Sequence, residues 1–269
     1  MYNTKLFWIL ILTVAFVLRL YGLGLNPVGL NHDDELHEII NAKSLAITGL
    51  HAPGRVAGIL TQGDNCPGNC VYGELGSYLF IPWMLFFPLD IFWSKVPFAI
   101  ASVLLVFFTG KLFENLTKSK ITGILVGLSV ALNPWSIHFG RTAYFTTFAY
   151  LFYIIGAYFY TRHKPFKSNL IFGTLVSFMG FLFYFGTKPI LPLIFVWGLL
   201  YNFYTFKLHS FKFVTILIII FFLTLAGYFI ILSNSYAGKR MSEIGPGSSE
   251  LIKSQVDEQR RVTLEIPIL

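Results

Sequence analysis

A series of long apolar stretches, separated by short polar segments, constrains this chain more than any other feature of its sequence. A helix needs about 20 mainly apolar residues to cross the hydrocarbon core of a membrane, and most of the stretches reach or approach that length. Only 12% of the residues are charged and 55% are hydrophobic, whereas a soluble domain carries roughly a quarter charged residues. We therefore predict an all-α, polytopic transmembrane helical bundle. The stretches are residues 6–25, 78–92, 96–113, 121–135, 144–160, 170–185, 190–206 and 213–232.

The net charge of +7 does not indicate a nucleic-acid partner. The lysines and arginines lie in short loops between the apolar stretches, whereas a phosphate-binding surface gathers them on one face. The two cysteines cannot build a disulfide-rich scaffold, and the apolar content excludes intrinsic disorder. We expect membrane lipid, and no nucleic acid, around this chain.

Three basic loops orient the apolar stretches, because Lys and Arg in short loops favour the cytoplasmic side. These loops are residues 111–120, 162–167 and 207–212. All three lie inside if residues 78–92 form a broken interfacial helix and only seven stretches cross. Three segments then share the external face: residues 26–95, 133–144 and 186–190. In the alternative with eight crossings, the corners that carry Arg141 and Lys188 lie on the opposite face.

An acidic segment follows directly on the first apolar stretch, in a chain with only 13 acidic residues. Helical spacing from Glu35 to Gly49 predicts that Asp33 or Asp34 caps a short helix along the membrane surface. In a structural interpretation these carboxylates stabilise the first turn of that helix. In a functional interpretation one of them is a general base that meets an acceptor hydroxyl at the membrane boundary.

Two cations lie at predicted external corners, against the positive-inside pattern. Arg141 follows Asn133-Pro134-Trp135 by six residues, and Lys188 lies between Thr187 and Pro189. Binding a phosphate, or pairing with the acidic segment, would explain both positions. The alternative is that each side chain reaches the lipid headgroups.

In their order and spacing, these motifs resemble the C-type (GT-C) polytopic glycosyltransferases that use a polyprenyl-phosphate sugar. The likeness is to the branch of protein O-mannosyltransferases and lipid A aminoarabinose transferases, glycosyltransferase family 39. Asp34-Glu35, with Ala42 and Gly49 downstream, resembles that family's Asp-Glu motif. The other similar segments are Leu18-Arg19-Leu20, Asn26-Pro27, Gly29-Leu30, Lys95-Val96-Pro97-Phe98-Ala99, Pro134-Trp135 through Arg141, and Thr187-Lys188-Pro189.

The resemblance implies transfer of a sugar from a polyprenyl-phosphate donor to an acceptor hydroxyl on the extracytoplasmic face, with inversion. By this analogy Asp34 is the catalytic base, and Glu35 orients it or the acceptor. Asp33, Arg141 and Lys188 bind substrate, and the two cations stabilise the leaving phosphate. The acceptor is a protein, a lipid or a glycan, and the expected location is the plasma membrane.

The chain also departs from that family. The family usually has a basic residue or His before a Pro-Pro step, where this chain has Tyr72-Gly73-Glu74-Leu75-Gly76. Family members run to about twice the 269 residues of this chain. We therefore expect an N-terminal portion, with a transmembrane region at residues 1–232 and an external polar tail at residues 233–269.

Other chemistries stay open at this stage. His32, Asp33, Asp34, Glu35 and His37 offer ligands for a divalent metal, although their spacing matches no metal motif. Cys66 and Cys70 could form a disulfide in an oxidising compartment. The alternative functions are a membrane transporter, since charges at membrane faces also mark transport paths, and a non-catalytic membrane scaffold. Against the transporter, no pair of broken segments repeats in two halves.

Overall fold

The computed structural model describes residues 4–26, 33–50, 76–162, 166–206 and 211–233. Every regular element in these residues is a helix, as the apolar stretches predict. The helices are α1 (Thr4–Leu20), α2 (Asp33–Thr48), α3 (Gly76–Phe86), α4 (Ile91–Thr117), α5 (Lys120–Leu132), α6 (Pro134–Gly140), α7 (Thr146–Tyr160), α8 (Phe166–Phe181), a short 3-10 helix (Phe185–Thr187), α9 (Ile190–Phe206) and α10 (Phe211–Ser233). The predicted external tail at residues 233–269 lies outside the described residues, apart from its first residue.

Helix α4 begins earlier than predicted. The carboxylate of Asp90 accepts a hydrogen bond of 2.7 Å from the backbone N–H of Trp93, which caps the helix at Ile91. Helix α3 ends at Phe86. The predicted single interfacial stretch 78–92 was therefore wrong at its end, because its last two residues belong to α4.

The stretch predicted at residues 121–135 is broken near its end. Helix α5 ends at Leu132 and α6 begins at Pro134, with an angle of 63° between the two axes. The Asn133 side chain accepts a hydrogen bond of 3.1 Å from the backbone N–H of Ser136. Proline suits the first position of the new helix, because its missing N–H would have no partner there.

Two of the described helices are long and apolar enough to cross a membrane, or three if α5 and α6 form one bent span. The two are α4 and residues Lys212–Ile230 of α10, with mean hydropathies of 2.0 and 2.7. Helices α1, α7, α8 and α9 have 15 to 17 residues. They measure about 23–26 Å, less than the roughly 30 Å of a hydrocarbon core. The structure thus supports a helical bundle with two or three spans, and seven crossings stay a prediction.

The helices pack around an aromatic core. Helix α4 packs against α1, α5 and α7, and α8 packs between α7 and α9. Glycine lets α7 and α8 approach closely: a Cβ at Gly156 would lie 2.8 Å from the carbonyl oxygen of Gly173. The buried aromatic rings of the main core cluster are those of Phe80, Phe98, Phe145, Phe181, Phe183, Phe195, Phe221, Tyr153 and Tyr228.

The exterior of the bundle is also apolar. Large aliphatic side chains on four helices are about two-thirds exposed; they are Leu6, Ile121, Leu193 and Leu223. Exposed apolar surface of this extent marks contact with a membrane or another protein. It agrees with helices that are long enough to span a membrane.

Candidate functional site

Helix α2 carries the predicted acidic site residues. Gly49 follows its last residue with φ +71°, a left-handed conformation that glycine adopts without steric cost. Helix α2 begins at Asp33 itself, whereas capping by Asp33 or Asp34 predicts a later start, so both residues lie with Glu35 in the first turn, where the helix dipole stabilises negative charge. Their side chains lie outside the described residues, as do His32 and the cysteines Cys66 and Cys70.

Helix α2 is anchored in the core close to its acidic start. Ile39 and Ala42 are fully buried in the main core cluster. Ile39 follows Asp34 by five residues, about 7.5 Å along the helix axis. On the next turn, Nζ of Lys43 donates hydrogen bonds to the backbone oxygens of Met84 (2.7 Å) and Phe87 (3.3 Å). This lysine satisfies carbonyls at the end of α3 and docks α2 against α3.

The junction between α3 and α4 is aromatic. The ring of Phe87 stacks on those of Trp83 and Trp93, with centroid distances of 4.1 and 4.4 Å. Nε1 of Trp83 donates a hydrogen bond of 2.9 Å to the backbone oxygen of Trp93. Tryptophan is common at the level of the lipid headgroups, and we expect both rings there.

Arg141 holds the end of α1. Its guanidinium donates four hydrogen bonds of 2.7–3.0 Å to backbone oxygens of residues 18, 21, 22 and 26. A guanidinium has five N–H donors, so one is left for another acceptor. Partial burial lowers the pKa of Arg141, and an arginine stays charged at neutral pH despite such a shift. The predicted phosphate contact of Arg141 stays a prediction, but its principal contacts are with the backbone.

Lys188 is buried at the corner between α8 and α9. Its side chain is 6% exposed, and Nζ donates a hydrogen bond to the hydroxyl of Tyr228 on α10. The ammonium also lies 4.9 Å from the ring centre of Phe181 and 4.5 Å from that of Tyr228. Aromatic faces attract a cation electrostatically, and the more so away from water. The corner thus places a positive charge inside the bundle instead of at the lipid headgroups.

The corners after α6 and after α8 meet at one end of the bundle. The hydroxyls of Tyr144 and Tyr184 are hydrogen-bonded at 2.8 Å, and the rings of Phe145 and Phe183 stack with centroids 6.1 Å apart. The start of α3 joins them, because a Cβ at Gly76 would lie 2.7 Å from the ring of Phe145. The structure therefore joins the two corners and the start of α3, and the placement of all three predicted segments on one membrane face stays a prediction.

The sequence did not predict the role of Arg19. Its side chain is fully buried between α1, α4, α5 and α6, and all five N–H donors have acceptors. Nε donates to the hydroxyl of Ser102 (2.6 Å), and Nη2 donates to that of Ser136 (2.8 Å). The remaining bonds, of 3.2–3.4 Å, go to the backbone oxygens of Ala15, Val130 and Ala131. An arginine inside an apolar stretch was the available signal.

Lys95 is another buried cation, and its sequence context indicated no role beyond its place in the resemblance. It is fully buried in the second turn of α4. Its sequence neighbours do not reveal this, because a lysine at the start of an apolar stretch usually extends toward the headgroups. Lys95 is therefore buried although its place in the sequence predicts an exposed ammonium.

In the part of the chain that the structure describes, no three residues of His, Cys, Asp or Glu lie together as metal ligands would. The acidic segment that suggested a divalent metal has its side chains outside that part.

The fold defines the class of protein at this point: an all-helical bundle with apolar helices of membrane-spanning length. Compared with protein-family models, with curated proteins and with solved structures, the chain matches none.

Proposed function

We propose that this chain is a GT-C-like membrane glycosyltransferase with seven crossings. It transfers a sugar from a polyprenyl-phosphate donor to an acceptor hydroxyl of a protein, lipid or glycan. The reaction takes place on the extracytoplasmic face of the plasma membrane. Two or three of the helices are long enough to span a membrane, and the shorter ones would need local thinning of the bilayer to cross it.

The observation that carries the proposal is the meeting of the start of α3 and the two cationic corners at one end of the bundle. The fully buried Ile39 of α2 belongs to the same core cluster as Ala143 and Leu191, which flank these corners. The acidic first turn of α2 therefore begins within about two turns of a helix from that cluster. A carboxylate and a cation near the same end are the two groups that transfer from a lipid phosphate requires.

Asp34 is the proposed base. The acceptor oxygen attacks the anomeric carbon of the sugar and loses its proton to the Asp34 carboxylate. The bond from that carbon to the phosphate oxygen breaks, and its electron pair stays on the phosphate. Attack from the face opposite to the leaving phosphate gives inversion, as in the inverting glycosidases. Glu35 orients the base or the acceptor, and Asp33 binds substrate.

Lys188 is the proposed partner of the leaving phosphate. Its positive charge lies among the rings of Phe181 and Tyr228, where little water screens it. A fixed charge in such surroundings stabilises developing negative charge more strongly than the same charge in water. Arg141 adds a second positive charge at the same end and offers its remaining N–H donor to the phosphate.

The test measures transfer of radiolabelled sugar from a panel of polyprenyl-phosphate sugars in membranes that contain the protein. Asp34→Asn removes the base without changing its size, and we expect a loss of about 10²–10⁴-fold. Lys188→Met should lose about 10²-fold or more. Glu38→Gln, on the same helix, is the matched control and should retain activity.

Each outcome is informative. Equal transfer by the native protein and Asp34→Asn would remove this residue from the chemistry. No transfer with any donor, in membranes where the protein is inserted, would reject the enzyme and favour a transporter or a scaffold. The same assay with EDTA tests for a divalent metal. Transfer that is lost with EDTA and restored by Mg²⁺ would show that the reaction needs a metal ion.

A further inference from the structure

A polar cavity lies at the opposite end of the bundle from the two corners. It lies where the α4–α5 turn meets the ends of α7 and α9, and has a volume of about 640 Å³. Ligand pockets commonly measure about 300–1,000 Å³. Its lining residues are Glu114, Asn115, Lys118, Lys120, Tyr158, Thr161, Arg162, Tyr201, Thr205 and Phe206.

The charge of this cavity is positive. Lys118, Lys120 and Arg162 line it, and within the described residues none of them lies in an ion pair. The single lining carboxylate, Glu114, lies 2.8 Å from Nζ of Lys111, which is not part of the lining. An uncompensated charge of +3 therefore faces a concave surface, and this favours an anion.

The backbone of Lys118 and the guanidinium of Arg162 both have distinctive surroundings or geometry. Lys118 has φ +56°, and no other non-glycine residue in the described part has a positive φ. Gly or Asn usually occupies such a position after a helix. The geometry of the turn alone therefore does not explain a lysine here. The guanidinium carbon of Arg162 lies 6.0 and 5.8 Å from the ring centres of Tyr158 and Phe159, and these contacts orient it toward the cavity end.

The surroundings of the cavity favour a lipid headgroup over a free anion. Tyr158, Tyr201 and Phe206 contribute aromatic lining, and such side chains are typical of the membrane boundary. One or two positions along the chain from lining residues, on helices α4, α5 and α9, large apolar side chains are exposed; they are Phe113, Ile121, Phe203 and Tyr204.

We infer that this cavity binds the phosphate of an anionic phospholipid. Lys118, Lys120 and Arg162 hold the phosphate, the aromatic residues contact the glycerol region, and the acyl chains lie along the exposed apolar faces. Basic pockets between helices at the cytoplasmic surface bind such headgroups in other membrane proteins. The site is independent of the proposed sugar transfer, and its binding is measurable without donor or acceptor.

The test counts bound phosphatidylglycerol by native mass spectrometry of the purified full chain, with phosphatidylcholine as the neutral comparison. The triple variant Lys118→Asn, Lys120→Gln, Arg162→Gln removes the three charges, and asparagine suits the left-handed position. We expect its affinity for phosphatidylglycerol to fall by roughly a hundredfold, since each basic residue near an anionic surface contributes about fivefold. Affinity for phosphatidylcholine should not change.

Two further variants separate the site from general charge. Lys5→Gln, Lys167→Gln, Lys212→Gln removes three charges outside the cavity lining and should change affinity by less than about threefold. Lys118→Arg, Lys120→Arg, Arg162→Lys keeps the charges and should bind as the native protein does. A loss in the first of these equal to that in the cavity variant would overturn the proposal. Competition by millimolar glycerol phosphate as effective as that by phosphatidylglycerol would overturn the lipid as the ligand.

Discussion

The hydroxyl oxygens of Tyr144 and Tyr184 lie 2.8 Å apart and join the corner after α6 to the corner after α8. Their rings are also in contact, with centroids separated by 5.3 Å. The same two corners carry Arg141 and Lys188, which are the cations that we propose act on a phosphate. The hydrogen bond therefore helps to fix how far these two charges lie from one another.

Removing this hydrogen bond should lower stability, and the losses from the two tyrosine variants should not add. Tyr144→Phe and Tyr184→Phe should each reduce the free energy of unfolding by about 1 kcal/mol. The double variant should lose little more than either single variant, because the second change removes a bond that is already broken. Thermal or denaturant unfolding in detergent measures these values. Tyr150→Phe, on the exposed surface of α7, should change stability by less than about 0.5 kcal/mol, and additive losses would contradict the bond.

Arg141 should not tolerate replacement by lysine. The guanidinium bonds four backbone oxygens around the end of α1, and a single ammonium cannot reach all four. Arg141→Lys should cost about 1.5–3 kcal/mol, the range for hydrogen bonds to a charged group. Hydrogen exchange should also accelerate at the amides of residues 21–26. Native stability and native exchange in this variant would show that charge alone matters at this position.

Ser102 should matter because it accepts from the buried Arg19. Ser102→Ala leaves the Nε–H of Arg19 without its acceptor, and a buried unsatisfied donor costs about 1–3 kcal/mol. Ser129 is the matched control. It lines a cavity that Ser102 also lines, but it bonds only Leu125 on its own helix. Ser129→Ala should change the free energy of unfolding by less than about 0.5 kcal/mol. Equal losses for the two variants would argue against a network centred on Arg19.

Gly140 should resist the addition of a single methyl group. A Cβ there would lie 2.6 Å from Cβ of Ser102 and 3.3 Å from Nε of Arg19, so Gly140→Ala must displace that pair. Overpacking of this kind costs about 1–3 kcal/mol. Gly227 on α10 has no heavy atom within 4 Å of the added Cβ, and Gly227→Ala should raise stability by about 0.4–1 kcal/mol. Opposite signs in unfolding experiments are the expected result, and a neutral Gly140→Ala would contradict the contact.

The positions of the helices could be predicted from the sequence, but not all of their ends could. Helix α9 covers the same residues, 190–206, as its apolar stretch. The start of α4 was missed, because it depends on the hydrogen bond between Asp90 and Trp93. Pro88 and Pro97 flank this region, and proline often interrupts a helix. The predicted corner at residues 133–144 does begin at Asn133, but the sequence did not show that a second helix follows at an angle of 63°.

The candidate site was predictable only in part. The charge of the basic loops predicted that the acidic segment and the two corners would share one face, and this stays a prediction. The structure joins the two corners to each other and to the start of α3. The contacts of Arg141 were not predictable, because its acceptors are backbone oxygens and every residue has one. The aromatic surroundings of Lys188 were not predictable either, since Tyr228 lies 40 residues further along the chain.

The sequence by itself determined that this chain forms apolar helices, where most of them lie, and that its charges are few and segregated. These properties follow from hydrophobicity and from short-range spacing, which act within a single helix. Only the tertiary structure decided that Arg19, Lys95 and Lys188 are buried, and which groups contact Arg19 and Lys188. Burial of a cation depends on acceptors and rings from helices distant in sequence, and on glycines and serines small enough to let those helices approach. No local pattern encodes that combination, because it exists only once the helices have packed.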